Sequence, residues 1–468
     1  MGRTIEINPV TRIEGHAKVS LELDDAGKVA AATLHVLEFR GFERFVEGMQ
    51  VELMPTLTTR ICRTCPHAHH LAAAKAVDRV FGVTPPRAAV LLRELINCGS
   101  MIHSHAIHFF ALAGPDLLLG IGAPPEQRSV VALLDLAPDV ARQALELRSL
   151  GQRMVEIVGG RGTHPVTCVA GGMSAGIDRE AREKLQRMAA RALELARVAL
   201  EVGKGALARD PDLLRALPLA VADLGTVNQG RLDLYDGVLR LRRADGTRAV
   251  EFAAERYRDH LYEEALPHTY AKQTWFKDPA GSAIPYRVGP LARLNVVDSI
   301  DTPLAQAELE ALRSSFGDPC QETVLAHHAR LIEIVHHAEK AVAILADDEI
   351  LSPHVRAKVT GTPRPAVAHV EAPRGVLIHD YDVDGEGIVR HANFLVATQH
   401  NLSSINASLR SAAERFVERP EPELLNGVEF AIRCYDPCLS CSTHQVGRMP
   451  LELEFVQRGR VVRRARRS

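Results

Sequence analysis

The sequence predicts a mainly α-helical protein with β-structure at its margins, an α+β fold organised around a central bundle of long helices. Long segments between residues 66 and 347 repeat apolar residues at helical spacing, whereas stretches near both ends alternate apolar and polar residues as strands do. The chain has no internal repeat and no low-complexity linker. We therefore expect one large unit rather than a string of independent domains.

Strand-like segments are expected in three places. Residues 4–39 contain two β-rich runs around the turn "DDAGK" at 24–28, which predicts a hairpin. Residues 370–398 predict a second hairpin around the turn "DVDGEG". Residues 219–300 mix short strands with turns, so this region is predicted only as β-rich.

The helical segments have recognisable ends. The first helix is expected to end at Gly82, ahead of a pair of prolines, and the next covers 87–113 until "GPD" at 114–116 breaks it. Asp178 is the expected N-cap of a helix over 178–204 that ends in glycine. The remaining helices are predicted at 129–158 and, as a pair around "FGDP", at 303–347.

Composition excludes several classes of protein. The formal charge is -2 over 468 residues and aromatic residues make up only 4%, so neither charge nor base-stacking surfaces point to a nucleic-acid partner. No apolar run is long enough to span a membrane, and the N-terminus lacks the apolar core of a signal peptide. A cytoplasmic location is therefore expected, and there cysteines stay reduced.

The cysteines form two Cys-x-x-Cys pairs at opposite ends of the chain. Cys62 and Cys65 make the first pair, and Cys438 and Cys441 make the second. In a reducing compartment such pairs indicate metal or redox chemistry. The separation excludes a local zinc knuckle, so one shared site would require the two ends to meet inside the fold. The alternatives are two unrelated pairs buried as small apolar residues, or a redox pair, although the βαβ context of thioredoxin-like motifs is missing.

The other four cysteines, by contrast, are isolated in the sequence, and core packing is their expected role. They are Cys98, Cys168, Cys320 and Cys434.

A series of motifs carries more specific information than the pairs alone. The motifs are "PVTRIEGH" at 9–16, "EFRGFE" at 38–43, "RICRTC" at 60–65, "HSHAIHFFALAGPD" at 103–116, "GGRGTHP" at 159–165, "VGPLARLN" at 288–295, "EAPRG" at 371–375 and "DPCLSCSTH" at 436–444. Over essentially the whole chain this series resembles the large, catalytic subunit of nickel–iron hydrogenases. The residues within "EFRGFE", "VGPLARLN" and "DPCLSCSTH" are most similar to those of the cytoplasmic, cofactor-coupled group, which includes NAD-coupled enzymes and enzymes linked to heterodisulfide reductase.

The resemblance implies reversible heterolytic cleavage of H2 at a nickel–iron centre. Cys62, Cys65, Cys438 and Cys441 would all bind nickel, and the second cysteine of each pair would also bridge to an iron that carries carbon monoxide and cyanide. Thiolates are soft, electron-rich donors that suit nickel better than hard cations.

A second, hard-cation site is implied as well, for magnesium or ferrous iron. Its ligands would be Glu43, the backbone carbonyl of Leu402, and His444, completed by waters.

The resemblance also assigns residues around the metals. Arg374 would stand over the open metal position, with the acids Asp116 and Asp436 paired to it. Glu14 would pass the proton from a cysteine toward solvent, although a turn-capping acid is the plainer interpretation.

Three further residues would contact the centre or its ligands. They are Pro373 beside the diatomic ligands, Thr398 as a hydrogen-bond donor to one cyanide, and His69 as a donor to a bridging sulfur.

The same resemblance implies partners and processing. Electrons would leave through an iron–sulfur small subunit and, through further subunits, reach a soluble carrier such as NAD(P). A maturation endopeptidase would cut after His444, which predicts a single domain over 1–444 and a removable extension over 445–468. Otherwise the arginine-rich end of that extension would be an arm for nucleic acid or membrane.

One position departs from the family pattern. Arg63 follows the first cysteine, where the family usually has glycine. Its side chain would either alter the turn and the hydrogen bonds to Cys62 or point away from the site.

Two alternative functions remain at this point. One is a catalytically inactive relative, like the quinone-site subunit of respiratory complex I, which has lost the four cysteines. The other is a structural metal-binding scaffold.

Overall fold

The structure, a computed structural model, describes residues 3–124, 128–279, 281–443, 451–457 and 460–467. Long helices pack in the centre, and small sheets lie around them, so the predicted α+β class is confirmed. Among the described residues, no helix is long and apolar enough to cross a bilayer.

The core of the molecule is a bundle of four long helices, α4, α7, α8 and α13, which pack against one another. The α-helices are α1 Phe42–Val46, α2 Met54–Leu57, α3 Pro66–Val80, α4 Arg87–Ile107, α5 Gly114–Leu119, α6 Val130–Leu136, α7 Pro138–Gly159, α8 Arg179–Ala208, α9 Pro211–Leu214, α10 Tyr257–His260, α11 Pro290–Val296, α12 Pro303–Phe316, α13 Ala326–Ala346, α14 Ala397–His400, α15 Leu402–Phe416, α16 Glu421–Tyr435 and α17 Leu439–Ser442. Short 3-10 turns lie at Val51–Leu53, Thr58–Ile61, Ala254–Arg256, Thr323–Leu325 and Asp348–Leu351.

The strands form small, mostly antiparallel sheets. They are β1 Arg3–Ile7, β2 Ala17–Leu23, β3 Val29–Val36, β4 Cys168–Val169, β5 Gly172–Met173, β6 Ala222–Asn228, β7 Arg231–Leu232, β8 Val238–Arg242, β9 Arg248–Phe252, β10 Leu261–Glu264, β11 Gln273–Lys277, β12 Ala283–Ile284, β13 Tyr286–Arg287, β14 Ala366–Ala372, β15 Gly375–Val383, β16 Val389–Leu395, β17 Leu451–Gln457 and β18 Arg460–Arg467. The sheets are β1–β2–β3, β4–β5, β10–β11–β12, β14–β15–β16, β17–β18, and a five-stranded sheet around β6 whose β13–β6 pair is parallel.

Both predicted hairpins are confirmed, and each belongs to a three-stranded sheet. In the N-terminal turn, the Asp24 carboxylate accepts hydrogen bonds from the backbone N–H groups of Ala26 and Lys28, which is why "DDAGK" closes tightly. The second hairpin, β15–β16, is extended by β14. Since Ala372 pairs with Gly375, the turn between β14 and β15 consists only of Pro373 and Arg374.

Two predicted helix ends were wrong. After α4 the chain does not break at "GPD": it continues as a π-helical segment, His108–Ala113, and then as α5. Pro115 lies in the first turn of α5, the part of a helix in which proline is best tolerated. Helix α8 begins at its predicted cap, Asp178, but passes through Gly203, where an added Cβ would lie 2.1 Å from the Leu331 side chain of α13. Gly203 thus allows close helix packing, and the helix also continues past Gly205, the glycine that was expected to end it, to Ala208.

The prediction of one helix over 129–158 was also incomplete. The segment forms α6 and α7, which are separated at Ala137, the residue before Pro138. A residue before proline is disfavoured in the helical conformation, and proline is well suited to start the next helix.

The two ends of the described fold are joined through α16. Glu429 accepts hydrogen bonds from Thr11, through its backbone N–H at 2.7 Å and its hydroxyl at 3.0 Å. Arg433 donates to the carbonyl of Thr11 from the same helix. These contacts hold the segment that precedes Glu14 beside the second cysteine pair, which begins just after α16.

Candidate metal centre

The four cysteines of the two pairs converge on one buried point. The Sγ atoms of Cys62 and Cys438 are 3.2 Å apart, and those of Cys65 and Cys441 are 3.3 Å apart. Within the pairs the Sγ separations are 2.9 Å for the first and 3.0 Å for the second. All four ligand atoms lie within 4.8 Å of one another, so the sequence alternative of two unrelated pairs does not describe this fold.

Each pair stands at the start of a helix. Cys65 is the N-cap of α3, followed by a proline, and Cys438 is the N-cap of α17. The backbone N–H groups of Thr64 and Cys65 donate to the Cys62 sulfur at 3.3 and 3.1 Å. Donors of this kind stabilise negative charge on a thiolate. The turn therefore already contains the hydrogen bonds that a ligating cysteine requires.

Arg63 is accommodated by this turn. Its side chain is exposed, whereas the cysteines on either side of it are buried. The hydrogen bonds to the Cys62 sulfur come from the two residues after Arg63 and are intact. The sequence left two alternatives for Arg63, and the structure agrees with the second, in which the side chain points away from the sulfurs.

The four thiols do not share charge equally. Burial by itself raises the pKa of the Cys62 thiol, but hydrogen bonds from the three other thiols and the charge of Arg374 hold that pKa well below its usual value. Burial raises the pKa values of Cys438 and Cys441 well above the usual value.

Arg374 occupies the two-residue turn between β14 and β15 and reaches the second cysteine motif. Its Nε donates to the carbonyl oxygen of Asp436 at 2.6 Å, and its Nη2 donates to the Asp436 carboxylate at 3.0 Å. Although burial alone raises the pKa of Asp436, Arg374 and His108 hold it well below its usual range. The remaining Nη1 is buried and has no hydrogen-bond partner among the described residues.

Asp116 was predicted to share Arg374 with Asp436, and the geometry assigns it other partners. Arg433 Nη1 lies 2.7 Å from one carboxylate oxygen of Asp116. Arg12 and Arg128 lie 2.5 and 3.3 Å from the other oxygen. The reason is topological: Asp116 follows the π-helical segment onto α5, where it faces α16 and the N-terminal segment instead of the β14–β15 turn.

Arg293 supports the Arg374 turn from behind, a role that the sequence reasoning missed. It donates to the carbonyl oxygens of Ala372 and Pro373 at 3.0 and 3.1 Å. Its guanidinium is fully buried between the carboxylates of Glu333, at 2.7 Å, and Glu371, at 2.8 Å. Arg293 lies in the motif "VGPLARLN", which could have pointed to it, but no function was assigned to any residue of that motif.

His69 is buried on α3 with its Nδ1 3.1 Å from Nε2 of His379. Burial lowers the pKa of His69 to about 4, so the ring is neutral near pH 7. His379 Nδ1 in turn lies 2.9 Å from the Tyr381 hydroxyl. If Tyr381 donates, each ring accepts at Nδ1 and carries its proton on Nε2, and the Nε2–H of His69 is the group available for a sulfur acceptor.

Thr398 contacts the second cysteine motif directly, and Pro373 lies in the turn that carries Arg374. The Thr398 hydroxyl oxygen accepts a hydrogen bond from the backbone N–H of Cys438 at 2.8 Å, which leaves its own hydrogen for donation. Pro373 is held by Arg293 through its carbonyl oxygen.

Glu14 lies directly beside Cys438. Its Oε2 accepts hydrogen bonds from the Cys438 thiol and from the Ser440 backbone N–H, both at 3.1 Å, and its Oε1 accepts from the Ser440 hydroxyl at 2.6 Å. The next residue, Gly15, has φ +86°, and a Cβ there would lie 2.7 Å from Cβ of Leu439. The glycine of "RIEGH" therefore allows the backbone approach that brings Glu14 to the sulfur.

The residues of the predicted hard-cation site are only partly described. Glu43 lies in the first turn of α1 and lines a cavity of about 630 Å³, and Leu402 is the first residue of α15. His444 lies outside the described residues, as do residues 445–450. In the part of the chain that the structure describes, the four cysteines are the only group of three or more His, Cys, Asp or Glu side chains whose ligand atoms are close enough to hold a metal ion.

The arrangement fits a nickel–iron centre on two observations. Four thiol sulfurs converge, a donor set that suits soft and borderline transition metals. In addition, the charge of Arg374 acts on Cys62, Cys65 and Cys438, while its Nη1 is buried without a partner. A buried N–H group without an acceptor is costly, and a closed structural metal site has no use for an additional cation beside its sulfurs.

Two family models match the chain. Residues 4–39 match a model described as HoxL-like, and residues 40–120 and 234–444 match a model described as nickel-dependent hydrogenase.

Curated relatives and solved structures are similar over nearly the whole length. One subunit of the F420-non-reducing hydrogenase vhc of Methanococcus voltae is 39% identical, covering 98% of this chain and 99% of its own. The beta subunit of the NAD-reducing hydrogenase HoxS of Cupriavidus necator is 36% identical, covering 99% of both chains. A crystal structure of an NAD+-reducing [NiFe]-hydrogenase in the H2-reduced state superposes with a TM-score of 0.90 at 38% identity, over 94% of this chain and 99% of that chain.

Proposed function

This chain belongs to the nickel-dependent hydrogenase family as the catalytic subunit of an H2-cleaving enzyme, and on that basis we propose that Cys62, Cys65, Cys438 and Cys441 hold the nickel–iron centre. The observation that carries the proposal is the convergence of the four sulfurs within 4.8 Å from opposite ends of the chain. With the centre bound, Cys65 and Cys441 would be the bridging thiolates, and Cys62 and Cys438 would be the terminal ones.

The protein's own groups are arranged to receive a proton. When bound, the nickel–iron centre, with carbon monoxide and cyanide on iron, supplies the Lewis acidity and redox chemistry that split H2 into protons and electrons. Cys438 is the terminal thiolate beside a carboxylate, so it takes the proton and passes it to Glu14, 3.1 Å away. The inactive relative of complex I has lost the cysteines, and retention of all four disfavours that alternative.

Arg374 acts as a fixed positive charge over the sulfurs. Its hydrogen bonds to Asp436 set the plane of the guanidinium, and Arg293 holds the turn that carries it. A preorganised cation in a water-poor site stabilises developing negative charge without having to reorganise. Thr398, with its hydroxyl hydrogen available, and Pro373 are assigned to the pocket around the iron ligands.

Electrons must leave through partner subunits. The named relatives are subunits of larger hydrogenases, and within the described residues the four site cysteines are the one cluster of metal-binding side chains. We assign an iron–sulfur small subunit as the first acceptor and a soluble carrier such as NAD(P) as the last. The NAD-reducing relative uses a soluble carrier, which supports a cytoplasmic location for this chain.

Metal analysis of the purified, matured complex tests the proposal directly. Nickel together with iron in excess of it, because the small subunit also carries iron, and infrared bands from carbon monoxide and cyanide are expected. Zinc in place of nickel would support the structural scaffold, and a complex with neither nickel nor zinc would support the inactive relative.

Glu14→Gln should slow proton exchange and leave the metals in place. The amide keeps the shape of the carboxylate and its hydrogen bond from Ser440, but it does not carry a proton at neutral pH. General acid–base groups contribute about 10²- to 10⁴-fold, so a loss of that order in H2/D2 exchange is expected. Exchange and metal content are to be measured on the same preparation. Loss of both together would mean that Glu14 is structural.

A magnesium or ferrous ion is proposed at Glu43, the carbonyl of Leu402, and His444. Carboxylate and carbonyl oxygens with several waters suit magnesium, and an imidazole is compatible with ferrous iron.

The extension after His444 is proposed to be removed once nickel is in place. Cleavage would create a new carboxylate and let His444 reach Glu43. Mass spectrometry of the matured protein should find a chain ending at His444, and growth without nickel should leave the longer form. An active, nickel-loaded enzyme that keeps residues 445–468 would contradict this proposal and give the extension another purpose.

A further inference from the structure

A chain of hydrogen-bonding groups runs from Glu14 to the protein surface. The Ser440 hydroxyl contacts Glu14 Oε1 at 2.6 Å on one side and Glu38 Oε2 at 2.9 Å on the other. The second oxygen of Glu38 lies 2.6 Å from Nδ1 of His16. The side chain of Glu38 is 17% exposed and that of His16 is 76% exposed, so the chain ends in solvent.

The fold brings these groups together from distant segments. His16 precedes β2 and Glu38 follows β3, and the pairing of Ala17 with Val36 places the two side chains next to each other. Ser440 lies between the second pair of cysteines, and its backbone bonds to Glu14. None of these three residues was singled out by the sequence reasoning.

We propose that Ser440, Glu38 and His16 form the proton exit of the enzyme, taking each proton from Glu14 to solvent. This inference rests on the proposed function, because it needs Glu14 to receive the proton from Cys438.

Each transfer moves one proton and no electrons. Protonated Glu14 gives its proton to the Ser440 oxygen while the hydroxyl proton of Ser440 moves to the Glu38 carboxylate. The exposed His16 ring then exchanges with water from the Nδ1–H tautomer, which donates to Glu38, to the Nε2–H tautomer, and this frees Nδ1 to accept the proton of Glu38. The imidazolium releases its Nε2 proton to water, which restores the starting tautomer, so that one proton has entered at Glu14 and one has left.

The charges around Glu38 favour this role. Burial by itself raises the pKa of Glu38, but hydrogen bonds from His16 and Ser440 and the charge of Arg40 lower it. Arg40 Nη2 lies 3.9 Å from Glu38 and 3.4 Å from the Ser440 oxygen. Glu38 is therefore ionised before the transfer, and a carboxylate is the proton acceptor that the transfer from Ser440 requires.

The test uses the assembled, metal-loaded complex and measures H2/D2 exchange with solvent next to nickel and iron content. Glu38→Gln should lower exchange by about 10-fold or more while both metals and the melting temperature are retained, because the amide neither accepts nor releases the proton. His16→Ala should lower exchange less, and added imidazole should restore it, since a small base in solvent replaces an exposed proton acceptor. Imidazole should not restore Glu38→Gln.

Glu6→Gln is the matched control. Glu6 is a half-exposed carboxylate of the same sheet that pairs with Lys18 and lies outside the chain of groups. Exchange in Glu38→Gln equal to that in Glu6→Gln overturns the inference. If Glu38→Gln loses its metals, His16→Ala decides the outcome. Normal exchange in His16→Ala, or lowered exchange that imidazole does not restore, then overturns the inference. A parent complex without nickel or without exchange refutes the proposed function itself, which is a different result.

Discussion

Cys438→Ala is expected to abolish hydrogen uptake and nickel retention together. The Cys438 sulfur lies 3.2 Å from that of Cys62, 3.0 Å from that of Cys441 and 3.1 Å from Glu14. In the proposed site, its loss removes a metal ligand and the first proton acceptor at once. Cys438→Ser should rescue poorly, because an alcohol is a harder and far less acidic donor than a thiol. The measurements are nickel per protein and H2-dependent dye reduction.

Cys434→Ala is the control for loss of a buried sulfur. Cys434 is fully buried four residues earlier, and burial raises the pKa of its thiol to about 12, as suits a core residue. This variant should keep nickel and hydrogen uptake. If Cys438→Ala kept full activity, the assignment of the metal centre would fail.

Arg374→Lys is the second large effect, and it should separate catalysis from metal binding. Lysine keeps the charge but loses the planar fork that contacts both the carbonyl and the carboxylate of Asp436. Loss of a preorganised electrostatic group typically costs about 10²- to 10³-fold in turnover, and a decrease of that order is expected while nickel and iron stay bound. Turnover and metal content are to be compared in the same sample.

The matched control for this variant is Arg390→Lys. Arg390 lies on β16 of the same sheet, with an exposed side chain that pairs with Asp384. Its exchange for lysine should leave turnover unchanged, since exposed ion pairs contribute little. Near-normal turnover in Arg374→Lys would mean that this arginine only lines the site.

The elements with a strong local signal were predicted well. The hairpin at "DDAGK" and the cap at Asp178 follow from turn and cap chemistry that involves only neighbouring residues. The errors arose where packing overrides a local preference. The helix that begins at Asp178 was expected to end at the glycine after residue 204, yet it continues to Ala208 and packs closely against Leu331 of α13 at Gly203.

For the candidate site, too, local sequence patterns predicted some features, and packing determined others. The cysteine spacing indicated a metal, and the motifs as a set indicated the family, which the comparisons confirm. The individual roles of the surrounding residues remain predictions. Asp116 was expected to pair with Arg374, but three other arginines surround it. The partners of a buried carboxylate depend on which helices pack around it.

Residue types and spacing were enough to predict the chemistry, from four cysteines in two pairs and from a carboxylate and an arginine in recognisable motifs, and periodicity predicted most helices and strands. Three features are seen only in the folded chain: the two cysteine pairs share one point, Arg293 holds the turn of Arg374, and Ser440 continues toward the surface. They could not be predicted because the residues involved are far apart along the chain. Periodicity and cap residues report interactions within a few residues, whereas these contacts join residues between 80 and 402 positions apart and exist only after the core has packed.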